Sequence, residues 1–190
     1  MKRQLVHIGF GTLFIALTLL LGAGEALLLL ALAFILGLVV SNLLRTGMDV
    51  PVFSALVGHV ERLDEKKLPG KGALLFFLGA ALLLYLCVYV LKAPYLAAPA
   101  LVPVVFGDGI STIVGSRCGK HWIAENKSLE GSLSGFLAAF AVLLLPAFGL
   151  FPAVWKAFVL AAGAMLVELM PLNDNLSVPV ASGLILYIIF

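Results

Sequence analysis

Charged side chains are scarce in this sequence. Its 190 residues include 12 Lys and Arg and 10 Asp and Glu, whereas 63% of the residues are hydrophobic and the mean hydropathy is +1.17. A soluble domain of this length cannot bury so much apolar surface. The net charge of +2 also gives no basic excess that would indicate a nucleic-acid partner. The composition therefore excludes an ordinary soluble domain.

Cysteine and the common nucleotide and metal motifs are also lacking. Cys87 and Cys118 lie at different predicted depths, which argues against a disulfide framework. Two cysteines and three scattered histidines do not make a zinc ligand set. The run GSRCGK at 115–120 lacks the spacing of a phosphate-binding loop and is a near miss.

What is present is a series of apolar runs of about 18 to 22 residues separated by short polar breaks. This is the length that a helix needs to cross about 30 Å of hydrocarbon. We therefore expect an all-α integral membrane protein, a single transmembrane catalytic domain over 1–190 with about seven helices. We also expect Pro99 and Pro103 to break the fourth helix and Pro179 to lie near the start of the last. The predicted spans are 5–21, 26–44, 72–91, 95–114, 132–150, 153–170 and 176–190.

The basic residues divide unequally between the two sides of these spans. The side of the N-terminus has ten, and the opposite side has only Lys92 and Lys156. The positive-inside rule then predicts a cytoplasmic N-terminus and an outward-facing C-terminus. The ten are Lys2, Arg3, Arg45, Arg62, Lys66, Lys67, Lys71, Arg117, Lys120 and Lys127.

The longest connection is 45–71, on the predicted cytoplasmic side. Its residues 52–63 have the pattern of an amphipathic helix. Such a helix either lies on the cytoplasmic leaflet or is a solvated loop helix, and the pattern does not decide between them.

Polar residues from five chain segments fall on the same predicted side, and the densest segment is 107–132. Clustered carboxylates suit a hard cation such as Mg²⁺, which usually bridges to substrate phosphates; they are Asp108, Glu130, Glu168 and Asp174. Lys127, Arg117 and Lys120 can neutralise phosphate charge. Glycines, among them Gly107, Gly109, Gly115 and Gly131, allow backbone amides to approach a phosphate. Gly131 and Gly135 equally fit a close helix-packing motif.

Four stretches carry a family resemblance: KRQLVHIGFG at 2–11, GDGISTIVGSRCGKH at 107–121, NKSLEGSLSGF at 126–136 and ELMPLNDNLSVPVASG at 168–183. Together they resemble the CTP-dependent lipid-alcohol kinases, which include dolichol kinase, phytol kinase and a CTP-dependent diacylglycerol kinase. The two central stretches are the more specific. The chain departs from the pattern at Gln4, where many members have a second basic residue, and this leaves the role of Arg3 open.

The resemblance implies transfer of the CTP γ-phosphate to a membrane lipid alcohol at the cytoplasmic face, with dolichol or another polyprenol as the favoured acceptor. The chemistry of the residues suggests their roles in such a transfer, and we expect Asp108, Lys127 and Glu130 to be the catalytic residues. Asp108, Glu130, Glu168 and Asp174 would hold Mg²⁺. Residues that would contact the nucleotide are Gly107, Gly109, Gly115, Arg117, Lys120, Ser128, Gly131 and Ser132. Supporting roles would fall to Arg3, His7, Asn42, Arg45 and Asn175.

Two other functions are compatible with these residues. A phosphatidate cytidylyltransferase would use the same acids and bases but release pyrophosphate. A small ion or solute transporter would need a polar route across the membrane, and the opposite side offers only Glu25, Lys92 and Lys156 near its ends. In every case we expect an integral protein of a prokaryotic plasma membrane or of an endomembrane.

Overall fold

A computed structural model describes residues 2–48, 68–124, 126–150 and 153–190. Within these ranges the chain forms one two-stranded hairpin and seven long helical segments, one of which, Pro94–Cys118, contains two α-helices joined by a π-helical turn. The predicted amphipathic helix at 52–63 lies outside the described residues.

The helices follow one another with short connections. The first two are α1 (Lys2–Leu21) and α2 (Ala23–Arg45), separated by Gly22. The third is α3 (Lys71–Tyr85), continued by a π-helical turn, Leu86–Val90. A 3₁₀ turn, Pro94–Leu96, leads into α4 (Ala97–Val102), a π-helical turn (Pro103–Gly107) and α5 (Asp108–Cys118). After strands β1 (Trp122–Ala124) and β2 (Lys127–Ser128) come α6 (Leu129–Leu143), a 3₁₀ turn (Pro146–Phe148), α7 (Val154–Glu168) and α8 (Asp174–Ile189).

Four of these stretches are long and apolar enough to cross a membrane: Arg3–Leu21, Ala23–Arg45, Lys71–Val90 and Pro94–Cys118. This supports a helical membrane protein. Helices α6, α7 and α8 have 15, 15 and 16 residues, and such helices are about 22–24 Å long at 1.5 Å per residue. They are shorter than a hydrocarbon core of about 30 Å, so seven complete crossings remain a prediction.

The expected break at Pro99 and Pro103 is wrong. The helical path is continuous over Pro94–Cys118, because Pro103 begins a wide π-helical turn that accommodates its missing N–H. The same path extends past the predicted end at 114, so Asp108 lies inside the helix rather than at its end. Pro179 is likewise inside α8, which begins at Asp174.

The helix that carries Asp108 is the centre of the molecule. Two thirds of its apolar window, 67%, is buried inside the protein. Every residue of α4 is buried, and so are Val104 and Val105 in the next turn. Asp108 therefore projects from the best-packed element, which restricts the movement of its backbone.

Small residues allow α5 and α6 to lie close together. A Cβ added at Gly135 would lie 2.6 Å from the carbonyl oxygen of Gly107 and 2.8 Å from the Cβ of Ser111. One added at Gly131 would lie 3.0 Å from the Cα of Gly115. The two backbones thus touch along Gly107, Ser111 and Gly115, which confirms Gly131 and Gly135 as a close-packing motif.

Candidate active site

Asp108 is the acidic residue of the central helix, and only 8% of it is exposed. One of its oxygens, Oδ2, lies 3.9 Å from the His7 Nε2 atom of α1. His7 Nε2 also donates a hydrogen bond of 2.9 Å to the carbonyl oxygen of Val104. The Thr112 hydroxyl donates to Asp108 Oδ1 over 3.5 Å. The carboxylate is thus placed by contacts with α1 and with its own helix.

Two more carboxylates converge on Asp108. Glu168 closes α7 and Asp174 opens α8, and one oxygen from each of the three residues lies within 4.8 Å of the others. Glu168 is 1% exposed. Its Oε1 accepts a hydrogen bond of 2.6 Å from the Ser111 hydroxyl of α5. We call Asp108, Glu168 and Asp174 the carboxylate cluster.

Lys127 provides the positive charge of this cluster. Its Nζ donates to Glu168 Oε1 at 3.0 Å and to Asp174 Oδ2 at 2.5 Å. Burial by itself lowers the pKa of Lys127, but the hydrogen bond to Asp174 and the charges of both carboxylates hold it above its usual value. Lys127 is therefore an ammonium ion at neutral pH.

Three buried acceptor atoms of the site lack a hydrogen-bond partner among the described residues: Glu168 Oε2, Asp174 Oδ1 and Asn175 Oδ1. Buried polar atoms normally have partners, and orphaned ones call for an explanation. Carboxylate and amide oxygens are the ligands that Mg²⁺ prefers. The donor set therefore fits a hard divalent cation.

A β-hairpin brings Lys127 to the cluster. Strands β1 and β2 pair antiparallel, with Trp122 opposite Ser128 and Ala124 opposite Lys127. Ser128 then caps α6, since its Oγ accepts the N–H of Gly131 at 3.1 Å. Ser128, which we expected to contact the nucleotide, is thus the buried N-cap of α6.

Glu130, predicted to bind metal, is placed by the structure at the hairpin and not in the carboxylate cluster. Its Oε2 accepts the backbone N–H groups of Lys120 and His121 at 3.1 and 3.3 Å, and its Oε1 lies 2.7 Å from His121 Nδ1. The hydrogen bond from the His121 side chain, then the backbone N–H of Glu130 itself and the backbone donors of Lys120 and His121, lower the pKa of Glu130 to about 2. Glu130 is consequently a carboxylate at any working pH.

The basic stretch at 115–120 is partly helical. Residues 115–118 continue α5, and the N–H of Gly119 bonds to the carbonyl of Gly115 at 3.0 Å. This stretch is therefore a helix C-terminus and not a phosphate-binding loop, as its spacing indicated. Arg117 and Lys120 are exposed there, while Ser132 is half-buried one turn into α6.

The predicted supporting residues divide into two groups. Asn42 and Arg45 are exposed at the end of α2, where Arg45 Nη2 donates to Asn42 Oδ1 at 3.1 Å. Asn175 is beside the carboxylate cluster, and its Nδ2 donates to the carbonyl of Gly72 at 3.4 Å. Arg3 lies at the same place, because a Cβ on Gly72 would be 3.2 Å from its Nη2. The starts of α1, α3 and α8 therefore meet next to the site.

Ser111 is a site residue to which the sequence assigned no role, although it falls on the predicted polar side together with Asp108. It follows Asp108 by three residues, so both side chains share one face of α5. That spacing was the available signal. Nothing in the local pattern indicated that Ser111 would meet Glu168, 57 residues further along the chain.

Comparisons with known proteins find lipid-alcohol kinases. The chain is 31% identical over 207 residues to the protein named "Probable phytol kinase 1, chloroplastic" of Oryza sativa subsp. japonica, covering 100% of this chain and 64% of that protein. It is 28% identical over 203 residues to the farnesol kinase of Arabidopsis thaliana, covering 99% and 65%. It is 39% identical over 97 residues to the dolichol kinase sec59 of Schizosaccharomyces pombe, covering 47% and 19%.

The chain thus spans just under two thirds of the length of these plant relatives. No protein-family model matches it, and no solved structure is significantly similar. The full-length matches include all four stretches on which the resemblance was based. The chain is thus a homologue of phytol, farnesol and dolichol kinases, which are CTP-dependent lipid-alcohol kinases.

Proposed function

We propose that this protein transfers the γ-phosphate of CTP to the hydroxyl of a membrane isoprenoid alcohol at the cytoplasmic face. The observation that carries the proposal is the buried carboxylate cluster bridged by Lys127. Phosphoryl transfer needs mainly positioning and neutralisation of charge. A cluster of acids with one ammonium ion, held by the best-packed helix, is suited to both.

A divalent cation such as Mg²⁺ would be held by Asp108, Glu168 and Asp174, and the unpartnered amide oxygen of the adjacent Asn175 is a candidate further ligand. When bound, the cation supplies positive charge to the phosphate oxygens. The three carboxylates outnumber the ammonium ion of Lys127 and the guanidinium of Arg3, whose charge reaches Asp108, so the site keeps a negative charge that attracts a cation. The orphaned acceptors of Glu168, Asp174 and Asn175 support this assignment.

The protein side chains have separate tasks in the proposed reaction. Lys127 has a flexible stem and a permanent charge, and would neutralise the β- and γ-phosphates. Asp108 would hold the cation or accept the proton of the attacking hydroxyl. Ser111 fixes the Glu168 carboxylate through its 2.6 Å hydrogen bond. Arg117 and Lys120, exposed beside the hairpin, would attract the nucleotide from solution.

The acceptor is proposed to be a short isoprenoid alcohol in preference to dolichol. The relatives that match the chain over its full length are named for phytol and farnesol. The dolichol kinase matches only 47% of it. The full-length similarity covers every helix of the chain, whereas the shorter match covers about half of the chain.

The cytoplasmic location is proposed from the distribution of charge. Ten of the twelve Lys and Arg residues fall on the side of the predicted topology that carries the site. The contacts of Arg3 and Asn175 with Gly72 support one shared face for the starts of α1, α3 and α8.

The test is a transfer assay with purified protein in detergent micelles. The protein is incubated with Mg²⁺, γ-labelled CTP or ATP, and phytol, farnesol, geranylgeraniol, dolichol or diacylglycerol. We expect label to enter phytol or farnesol from CTP, with CDP as the second product, and to be lost in Asp108→Asn. Release of pyrophosphate when a phosphorylated lipid is supplied as the substrate would instead indicate a cytidylyltransferase. Absence of transfer to every alcohol would refute the kinase assignment. Ion flux across the membrane of liposomes that contain the protein, without nucleotide, would indicate a transporter.

A further inference from the structure

The position of Lys127 depends on a hairpin that is too small to be stable by itself. Its strands have three and two residues, and the pairing is irregular between Trp122 and Ala124. A lone two-stranded ladder of this size is marginal at best in water. Other contacts must therefore hold the segment between α5 and α6 in place.

Glu130 makes those contacts. Its single carboxylate accepts from the backbone of Lys120, from the backbone of His121 and from the His121 ring. Next to them the N–H of Leu129 donates to the carbonyl of His121 at 2.8 Å. The start of the hairpin is thereby joined to the start of α6, across nine and ten residues of chain.

The end of α6 that carries Glu130 is itself fixed. Ser128 caps it, and a Cβ on Gly131 would lie 2.8 Å from the carbonyl oxygen of Ser111. Because α6 lies so closely against α5, Glu130 connects the hairpin to a firmly packed pair of helices. Lys127 stands three residues before Glu130, in the strand that this connection closes.

We propose that Glu130 and His121 form a latch that holds the hairpin in place, so that Lys127 reaches Glu168 and Asp174, and that Glu130 is a positioning residue and not a metal ligand. Both oxygens of Glu130 are already occupied by donors, whereas Glu168 and Asp174 each keep an oxygen without a partner. Glu130 is also outside the group of carboxylates whose oxygens lie within 4.8 Å of each other. The catalytic consequence rests on the proposed kinase function; the latch does not.

The latch is tested directly by the fluorescence of Trp122. The chain has two tryptophans, so Trp155→Phe leaves Trp122 as the only reporter. Trp122 is on β1 next to His121 and is 59% exposed. In this background Glu130→Ala and His121→Ala should both lower the anisotropy of Trp122 and alter its quenching by acrylamide. Ser116→Ala, which removes an exposed hydroxyl that bonds within α5, should change neither.

The kinetic test is a double-mutant cycle in the transfer assay. A misplacement of about 1 Å in a catalytic group costs about 100-fold in rate, so Glu130→Ala should lower kcat by about this factor. We expect about 10-fold for His121→Ala, which keeps the backbone donors. Since the two residues act as one unit, the double variant should lose about 100-fold, whereas independent effects would multiply to about 1,000-fold.

The Mg²⁺ concentration for half-maximal activity distinguishes a latch role of Glu130 from a role as a metal ligand. It should stay within about twofold of wild type in all three variants, because the carboxylate cluster is untouched. Glu130→Gln should recover most of the activity lost in Glu130→Ala, since its amide oxygen still accepts the backbone N–H groups.

An unchanged Trp122 signal in Glu130→Ala overturns the latch, and so does a rise of about tenfold or more in the Mg²⁺ requirement, which corresponds to the loss of a ligand. Wild-type protein that transfers no phosphate to any alcohol refutes the kinase function only. The fluorescence comparison then still decides whether the latch exists.

Discussion

Replacing Gly79 by alanine tests the packing of α3 against α8, which positions part of the site. Gly79 lies in α3, where α8 passes closest. A Cβ at this position would overlap the carbonyl oxygen of Asn175 and lie 2.9 Å from its carbonyl carbon and 3.3 Å from the Cα of Leu176. All three are backbone atoms and cannot rotate away. The carbonyl of Asn175 is four residues before Pro179, which has no N–H to bond it within α8.

The cost of Gly79→Ala follows from these distances. Ordinary contact begins at 3.4 Å, so the carbonyl carbon of Asn175 must recede by 3.4 − 2.9 = 0.5 Å and its oxygen by more. Overpacking of this kind costs about 1–3 kcal/mol, and the gain in helix propensity from Gly to Ala returns at most about 1 kcal/mol. We expect the free energy of unfolding to fall by about 1–2 kcal/mol, hence the Tm by about 2–8 °C.

The same displacement should disturb the chemistry, because Asp174 and Asn175 begin the helix that must move. A shift of about 1 Å in the carboxylate cluster is expected to lower phosphate transfer by about 100-fold. Thermal unfolding in detergent, followed by circular dichroism, measures the first effect and the transfer assay the second. Gly9→Ala and Gly24→Ala are the controls, since an added Cβ meets nothing within 4 Å at either position. A Gly79→Ala protein with the Tm and activity of these controls would show that α3 and α8 do not pack as described.

Three further predictions concern the site itself. Lys127→Met removes the counterion of Glu168 and Asp174, so we expect phosphate transfer to fall by about 10²–10³-fold. Calorimetry should find tighter Mn²⁺ binding in Lys127→Met than in Lys127→Arg, which keeps the positive charge. Equal binding in the two variants would contradict the idea that Lys127 and the cation compensate the same carboxylates. Ser111→Ala leaves Glu168 with one fewer donor and should cost about 1.5–3 kcal/mol of stability, measured by thermal unfolding against Ser116→Ala. The pKa of Glu130, about 2 against an ordinary 4.5, means that the hairpin is held above pH 4.5 and released as the pH falls towards 2. Quenching of Trp122 should rise in that range, and Glu130→Gln should abolish the change.

Much of the architecture could be predicted because its causes are local. Continuous apolar runs predicted seven helical segments, and small residues at 131 and 135 predicted a close helix contact. The expected break at Pro103 was wrong, because a π-helical turn can absorb a proline without ending a helix, and local pattern does not distinguish the two outcomes.

The sequence by itself determined which residues are too costly to place in apolar surroundings without a partner: Asp108, Lys127, Glu130, Glu168 and Asp174. Only the tertiary structure decided which of them meet. Lys127 finds its partners 41 and 47 residues away, whereas Glu130, three residues from Lys127, turns back to His121. The physical reason is that the free-energy cost of removing a charged group from water depends on that residue and on the apolar residues next to it along the chain, so it can be estimated from the sequence. Pairing depends on where separate helices cross, and that is set by side-chain packing over the whole molecule.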